Sequence, residues 1–212
     1  MRIYDISEAI APATAVFPGD NGYSSEWIMR LADGASCNVS TMRMSVHCGT
    51  HADAPLHYDE SGSDAASLDL STYLGPCRVI DAASAGSPPL VDPACLDSAA
   101  LTGVERVLLR TRAEHDATEF DPEFTALGAA AARSLVDAGV RLVGIDTPSM
   151  DHSASTDLSA HRVLATGGLC LLENLDLTSV PAGDYELIAL PLKIVGGDAA
   201  PVRAVLRELP RS

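Results

Sequence analysis

Three histidines and an aspartate lie in one short stretch of this chain, between His47 and His57. Imidazole and carboxylate groups are the usual ligands of a catalytic divalent metal ion. His51 and Asp53 are two residues apart, so their side chains point to the same side of an extended segment. Gly49 permits the tight turn that would bring the His47 imidazole to the same ion. The residue types and their spacing therefore predict a metal site.

His57 follows Asp53 by four residues, after Pro55, which sets the local direction of the chain. An imidazole at this position can act as an acid or base beside a metal without being a ligand. The alternative is that these are loop histidines with ordinary hydrogen bonds. A carboxylate at a fixed offset and a further histidine favour the metal site, and we interpret Cys48, within the same stretch, as a small buried apolar residue.

The elements that must position these side chains form a mixture of strands and helices. An alternating run at residues 41–46 predicts a strand that leads into the ligand-bearing loop. Apolar runs predict further strands at residues 2–6, 78–81, 106–110, 141–145, 185–190 and 202–206. Helices are predicted at residues 67–73, 93–101 and 127–138, the last because an Ala-rich run ends at Gly139. The alternation predicts an α/β fold, and the Ala-, Ser-, Gly- and Pro-rich segment 82–93 predicts a surface loop.

Composition limits the functions that the chain can perform. With 212 residues it has the length of a single domain, which we place at residues 1–212. A net charge of −15 disfavours binding to nucleic acid or to an anionic membrane surface. No segment has the apolar character of a secretory signal or a membrane span, so we expect a cytoplasmic protein. Five cysteines without a C-x-x-C pair argue against a disulfide framework or a cysteine-bound zinc ion.

Residues 45–58, SVHCGTHADAPLHY, resemble the signature of the cyclase-type metal-dependent hydrolases. Within that family the chain is most similar to the bacterial kynurenine formamidases. The likeness covers nearly the whole chain and includes residues 4–7, 17–20, 73–80, 144–149, 183–193 and 200–207. It implies a swivelling β/β/α-type single domain with a mixed sheet, assembled as a homodimer or a higher homo-oligomer.

The resemblance also implies a site for two divalent metal ions, usually Zn²⁺, although Mn²⁺ suits the same ligands. His47, His51 and Asp53 would hold one ion. Asp53 would bridge to a second ion, held also by His161 and Glu173. Taken by themselves, His161 and Glu173 are unremarkable residues, and only the resemblance makes them candidate ligands.

The activity that the resemblance implies is hydrolysis of N-formyl-L-kynurenine to L-kynurenine and formate in tryptophan degradation, through attack of a metal-bound hydroxide. His57 would be the general acid/base. The substrate would be an aryl formamide, and Phe17 stands where the family usually has a substrate-binding tryptophan. Phenylalanine can stack on an aromatic ring but lacks the indole N–H donor, and the one tryptophan, Trp27, is assigned to the core.

Two other functions remain open at this point. An enzyme resembling isatin hydrolase would open a cyclic amide or a lactone by the same attack, and the motif spacing does not separate it from a formamidase. A metal-binding protein without turnover is disfavoured because binding alone needs no base at His57. A serine-triad hydrolase is disfavoured because the chain has no Gly-x-Ser-x-Gly motif.

Overall fold

A seven-stranded mixed sheet is the frame of the computed structural model, which describes residues 1–82 and 84–210. The strands are β1 (Ile3–Asp5), β2 (Ser24–Met29), β3 (Val39–Arg43), β4 (His51–Asp53), β5 (Leu74–Asp81), β6 (Ser84–Ala85), β7 (Leu90–Val91), β8 (Arg106–Arg110), β9 (Leu142–Ile145), β10 (Cys170–Leu172), β11 (Gly183–Ile188), β12 (Ala199–Pro201) and β13 (Val205–Glu208). The α-helices are α1 (Ser98–Leu101), α2 (Gly128–Asp137) and α3 (Ser159–Thr166). None of the helices in the described ranges is long and apolar enough to cross a membrane.

The large sheet has the strand order β1-β13-β11-β5-β8-β9-β10. β5, β8, β9 and β10 are parallel, whereas β11, β13 and β1 complete the sheet by antiparallel pairing. The parallel strands β8 and β9 are almost wholly buried, as expected for strands that are covered on both faces. The predicted α/β fold with a mixed sheet is confirmed.

Alternate residues of β8 belong to different parts of the core. Val107 and Leu109 belong to the cluster that includes α2 and α3, whereas Leu108 belongs to the cluster on the opposite face of the sheet, with Tyr73 and Leu206. Period-two alternation of side chains along a strand is the cause. Each fully buried Leu or Val contributes about 1.5–3 kcal/mol by leaving water, so both faces fix the sheet firmly.

Several predicted elements differ from those in the structure. The predicted helix at 67–73 is wrong: residues 65–67 and 70–73 form two separate 3₁₀ turns, and the Asp69 side chain accepts a hydrogen bond from the Ser71 N–H at the start of the second. The predicted helix at 93–101 is divided at Asp97, which has an extended backbone and caps α1. Short polar side chains that bond the nearby backbone compete with a continuous helix.

Two further predictions of secondary structure are corrected. The segment 82–93, predicted as a loop, carries the small hairpin β6–β7, and Ala83 lies outside the described residues. Helix α3 is absent from the prediction because its sequence, SAHRVLAT, is short and the residue before it, Leu158, has no capping side chain.

The hairpin β2–β3 pairs with itself and not with the large sheet. Every residue of both strands is exposed, including Trp27 at 55%, Ile28 at 59% and Met42 at 61%. The assignment of Trp27 to the core is therefore wrong. An apolar strand pattern predicts that a surface is covered, but it does not tell whether the covering group lies in the same chain.

Candidate metal centre

Strand β4 carries His51 and Asp53 into the interior of the protein. One edge of β4 pairs with β12. At the other edge, the His51 N–H donates to the Glu173 carbonyl at 3.3 Å, and the Glu173 N–H donates to the His51 carbonyl at 3.1 Å. This backbone pairing brings Glu173, at the end of β10, beside His51 although the two are far apart in the sequence. All three side chains are buried.

Gly49 connects His47 to β4. Its φ of +69° lies in the left-handed region, and a Cβ at this position would lie 3.1 Å from Cγ1 of Ile10. The Gly49 carbonyl also lies 2.9 Å from Nδ1 of His51. Nδ1 of His51 therefore carries the proton and donates it to this carbonyl, which leaves Nε2 as the nitrogen with a free lone pair. Nδ1 of His47 lies 3.2 Å from Oδ1 of Asp53.

Helix α3 presents His161, and Asp151 orients it. The Asp151 carboxylate accepts from the backbone N–H groups of Ala160 and His161 at 2.9 and 3.0 Å, and its Oδ2 lies 2.7 Å from Nδ1 of His161. Nε2 of His161 therefore faces the site, 3.5 Å from Asp53 Oδ2 and 3.4 Å from Glu173 Oε1. The sequence analysis missed Asp151, whose only signal is its position ten residues before His161.

The buried donor atoms of this cluster fit a divalent cation. Separations of 3.2–3.5 Å join the imidazole nitrogens to the carboxylate oxygens. Nevertheless His51 Nε2, His161 Nε2 and both oxygens of Asp53 have no aligned hydrogen-bond partner in the part of the chain that the structure describes. Two ligands at about 2.0–2.1 Å from a tetrahedral ion lie about 3.3–3.4 Å apart, the separation seen here.

The two oxygens of Asp53 face different imidazoles. Oδ1 lies near His47 and His51, at 3.2 and 3.3 Å, and Oδ2 lies near His161. His51, Asp53 and Glu173 also form a group whose ligand atoms all lie within 4.8 Å of one another. The arrangement allows one carboxylate to serve two ions.

The charges of the cluster require positive charge at its centre. Burial opposes the protonated form of His51, but Asp53 and Glu173 raise its pKa to about 10. In the same way Asp151, Asp53 and Glu173 overcome burial and raise the pKa of His161 to about 12. Burial favours the neutral form of Asp53, yet the three imidazoles hold its pKa well below the ordinary value. The carboxylates thus attract protons or metal ions to the same place.

His57 ends a 3₁₀ turn, Pro55–His57, at the entrance to the centre. Its Nδ1 lies 3.4 Å from Oδ2 of Asp198, and the same oxygen lies 2.9 Å from Nε2 of His47. The side chain of His57 is 32% exposed, so it meets both the cluster and the solvent. The sequence analysis missed Asp198, which follows a Gly-Gly pair and resembles any polar loop residue.

The turn that carries His57 is held by a close backbone approach. A Cβ at Gly62 would lie 2.4 Å from the carbonyl carbon of Pro55, closer than real Cβ contacts. The Leu56 N–H donates to the Ser63 carbonyl at 3.1 Å across the same contact. Glycine at position 62 therefore lets the following loop fold back against the turn.

A cavity of about 350 Å³ opens onto the centre. His47, His57 and Glu173 line its inner end. Phe17, Phe120 and Phe124 form an aromatic wall, with ring centroids 5.3 Å apart between the first pair and 6.3 Å between the second. The sequence analysis selected Phe17 but missed the other two rings.

Cys48 is fully buried, as predicted, and burial raises the pKa of its thiol.

Known proteins resemble this chain over nearly its whole length. A kynurenine formamidase from Maricaulis maris (strain MCS10) is 46% identical over 209 residues, which cover 99% of each chain. One from Delftia acidovorans (strain DSM 14801 / SPH-1) is 49% identical over 208 residues, 98% of each chain. Both identities are far above the level at which relatives share a fold and a family.

Solved structures agree with this likeness. The structure of a potential metal-dependent hydrolase with cyclase activity matches with a TM-score of 0.80 at 30% identity, over 97% of this chain and 96% of that one. Isatin hydrolase A from Labrenzia aggregata has the same fold, with a TM-score of 0.80 at 23% identity over 97% and 93% of the two chains. The sequence profile of the putative cyclase family matches residues 4–152. The chain therefore belongs to the putative cyclase family.

Proposed function

We propose that this chain is a metal-dependent amidohydrolase that converts N-formyl-L-kynurenine to L-kynurenine and formate. The observation that carries the proposal is 46–49% identity with kynurenine formamidases over 98–99% of the chain. A buried cluster of imidazoles and carboxylates beside an aromatic-walled cavity supports it. The bond that breaks is the non-peptide C–N bond of an aryl formamide, and residues 1–212 act as one domain.

The proposed ligands are those of the cluster. His47, His51 and Asp53 hold one divalent ion, and Asp53, His161 and Glu173 hold the second, with Zn²⁺ the expected metal and Mn²⁺ the alternative. Two such ions would polarise the formyl carbonyl and lower the pKa of a water molecule towards neutrality. The unpartnered, buried nitrogen and oxygen atoms of the cluster support this assignment.

We assign the proton transfers to His57. Water adds to the formyl carbon and the C–N bond breaks, so the water proton must leave and the aryl nitrogen must gain a proton. His57 can do both, because Asp198 faces Nδ1 and leaves Nε2 to meet the reacting atoms. The exposed position of His57 at the cavity supports a role in proton transfer over one in coordination.

Phe17 is the proposed contact for the aryl ring. It lies on the cavity wall and packs edge-to-face against Phe120. An edge-to-face pair leaves ring surface available for an offset or edge contact with a third ring. Phe120 and Phe124 continue the same wall.

The decisive experiment compares rates on N-formyl-L-kynurenine and on isatin with protein that has been reconstituted with Zn²⁺. We expect clear preference for the formamide, close to two ions per chain by mass spectrometry, and loss of activity with a chelator. Preference for isatin would replace the formamidase proposal by a cyclic-amide hydrolase. Turnover of neither substrate by metal-loaded protein would leave a metal-binding protein and overturn the proposal.

We also propose that the protein assembles as a homodimer or a higher homo-oligomer through the hairpin β2–β3. Its exposed apolar side chains include Trp27, Ile28 and Met42, and exposed apolar surface is typical of a protein interface. A second copy of the chain offers the same surface for a two-fold contact. Light scattering should give a multiple of the chain mass for the wild type and the monomer mass for Trp27→Glu/Met42→Glu, and a monomeric wild type would contradict the assembly.

A further inference from the structure

A second group of ionisable side chains lines the same cavity and has no part in the proposed metal chemistry. It consists of Glu8, Arg112 and His115. The side chains of Glu8 and His115 are only 4% and 10% exposed. Glu8 Oε1 lies 2.6 Å from His115 Nε2 and 3.8 Å from Arg112 Nη2. We call this group the polar subsite.

Several nitrogen atoms of the polar subsite are buried without an aligned hydrogen bond, although Glu8 lies close to two of them. Nε and Nη2 of Arg112 and both ring nitrogens of His115 are buried and lack an aligned hydrogen-bond partner among the described residues. An unmade hydrogen bond of a buried, charged donor is costly to the folded protein. Such donors are retained most readily where a ligand completes them.

Arg112 is also distinctive in charge. Among the described residues that line the cavity it is the only lysine or arginine, whereas six carboxylates other than the proposed ligands surround the same space. They are Glu8, Asp20, Asp116, Glu119, Asp121 and Asp198. An anionic ligand group entering this cavity therefore has one cationic side chain to meet, and a planar guanidinium presents two parallel donors to a carboxylate.

The position of Arg112 is fixed through its backbone. Asp146, at the end of β9, accepts hydrogen bonds from the backbone N–H and the hydroxyl of Thr111 at 2.9 and 2.6 Å. It accepts a third, at 3.3 Å, from the backbone N–H of Arg112. These bonds occupy both oxygens of Asp146, so they anchor the chain beneath Arg112 and leave the guanidinium available.

We propose that the polar subsite binds the zwitterionic α-amino acid end of the substrate, with Arg112 on the carboxylate and Glu8 on the ammonium group. His115 keeps the Glu8 carboxylate in place. This inference rests on the proposed function, because the substrate must carry an amino acid arm on its aryl ring. It adds a determinant of substrate specificity to the cavity that the proposed metal site shares.

The test uses three aryl formamides with Zn²⁺-reconstituted protein. They are N-formyl-L-kynurenine, its decarboxylated analogue, which keeps the amine, and 2-formamidoacetophenone, which lacks both charged groups. Arg112→Gln should lower kcat/KM for the first by about 10–100-fold, chiefly through KM, and leave the other two within about twofold. Arg112→Lys should recover part of the loss, since it restores charge without the planar fork. Arg133→Gln, an exposed arginine of α2, is the matched control.

Glu8→Gln extends the test to the ammonium group. It should weaken the first two substrates and spare 2-formamidoacetophenone. Metal content and melting temperature, measured for every variant, separate loss of folding from loss of recognition, and calorimetric titration with L-kynurenine gives a readout of binding without turnover. Equal losses on all three substrates would overturn the inference and make Arg112 a structural residue. Absence of wild-type turnover on all three would instead count against the proposed function.

Discussion

Asp53 Oδ2 lies 3.5 Å from Nε2 of His161, while the other oxygen of the same carboxylate faces His47 and His51. A carboxylate in this position would hold both ions. We therefore expect Asp53→Ala to bind neither, as measured by mass spectrometry after dialysis against Zn²⁺. Asp20→Ala is the control, because Asp20 lines the same cavity but hydrogen-bonds Ser45. If Asp53→Ala kept one ion at the wild-type affinity, the bridge would be excluded.

His57 is the proposed proton carrier but not a proposed metal ligand, so its replacement tests proton transfer separately from metal binding. We expect His57→Ala to keep its metal and to lose about 10²–10⁴-fold in kcat, the usual contribution of a positioned acid or base. Asp198→Asn should lower kcat less than His57→Ala does. It should also change the pH profile of kcat, because Asp198 faces both His57 and His47. Loss of an ion from His57→Ala would instead make His57 a ligand, which its position within 4.8 Å of the His47 and Asp53 ligand atoms permits.

Asp151 should act on the metal through His161. Removal of its carboxylate frees Nδ1 of His161 to change tautomer and removes the cap from the first N–H groups of α3. We expect Asp151→Ala to weaken metal binding about 10–100-fold, as outer partners of metal-bound histidines usually do. Asp151→Asn keeps one acceptor oxygen, so its metal affinity should lie between those of the wild type and Asp151→Ala. Competition with a chromogenic chelator measures both, and an unchanged affinity for Asp151→Ala would contradict this role.

The raised pKa of His51 predicts that the metal-free protein loses stability as the pH rises, while the stabilisation by added metal ions grows. Burial works against the charge, but the carboxylates raise the pKa from 6.5 to about 10. The raised pKa of His51 adds to the free energy of unfolding. This addition is fully present below pH 6.5 and is lost as the pH rises to about 10. Metal ions replace these protons.

Melting temperatures measured between about pH 6.5 and about pH 9.5 provide the check. The metal-free protein should become less stable over this range, and the increase in melting temperature on adding Zn²⁺ should grow. A metal-induced increase that shrinks with rising pH would show that the histidines do not exchange protons for metal.

Phe17 should contribute to the binding of the aryl ring more than to chemistry. Phe17→Ala removes an edge-to-face partner of Phe120, and we expect KM to rise about tenfold with a smaller change in kcat. Phe17→Trp, which keeps an aromatic ring and adds an indole N–H donor, should bind at least as well as the wild type. Steady-state kinetics on N-formyl-L-kynurenine measure both variants. A KM unaffected by Phe17→Ala would remove this residue from the substrate contact.

Three of the proposed metal ligands follow from local sequence, whereas the other two depend on tertiary structure. His47, His51 and Asp53 are close in the chain, so a strand period and one glycine suffice to predict their convergence. Glu173 reaches His51 only through a backbone bridge between distant segments, and His161 lies on a helix that the sequence pattern does not predict. Family resemblance supplied these two residues, and periodicity could not have done so.

The same distinction applies to the fold. Strand β8 has the bounds that its apolar run predicts, because burial on both faces leaves a continuous signal. The turns around Asp69 and Asp97 interrupt predicted helices, since one side-chain hydrogen bond outweighs a weak helical pattern. The exposure of Trp27 is not predictable from the local sequence, because it depends on what lies beside the hairpin β2–β3.

The contact between Gly62 and Pro55 makes a residue that never meets the substrate as intolerant of change as the groups that do. Any side chain at position 62 must displace the backbone of the turn that ends at His57. Even an alanine there would displace the turn that ends at His57, the proposed proton carrier. Sequence variation in this loop is therefore restricted to substitutions that keep Gly62. A screen for inactive variants with full metal content should recover substitutions at position 62 as well as at position 57.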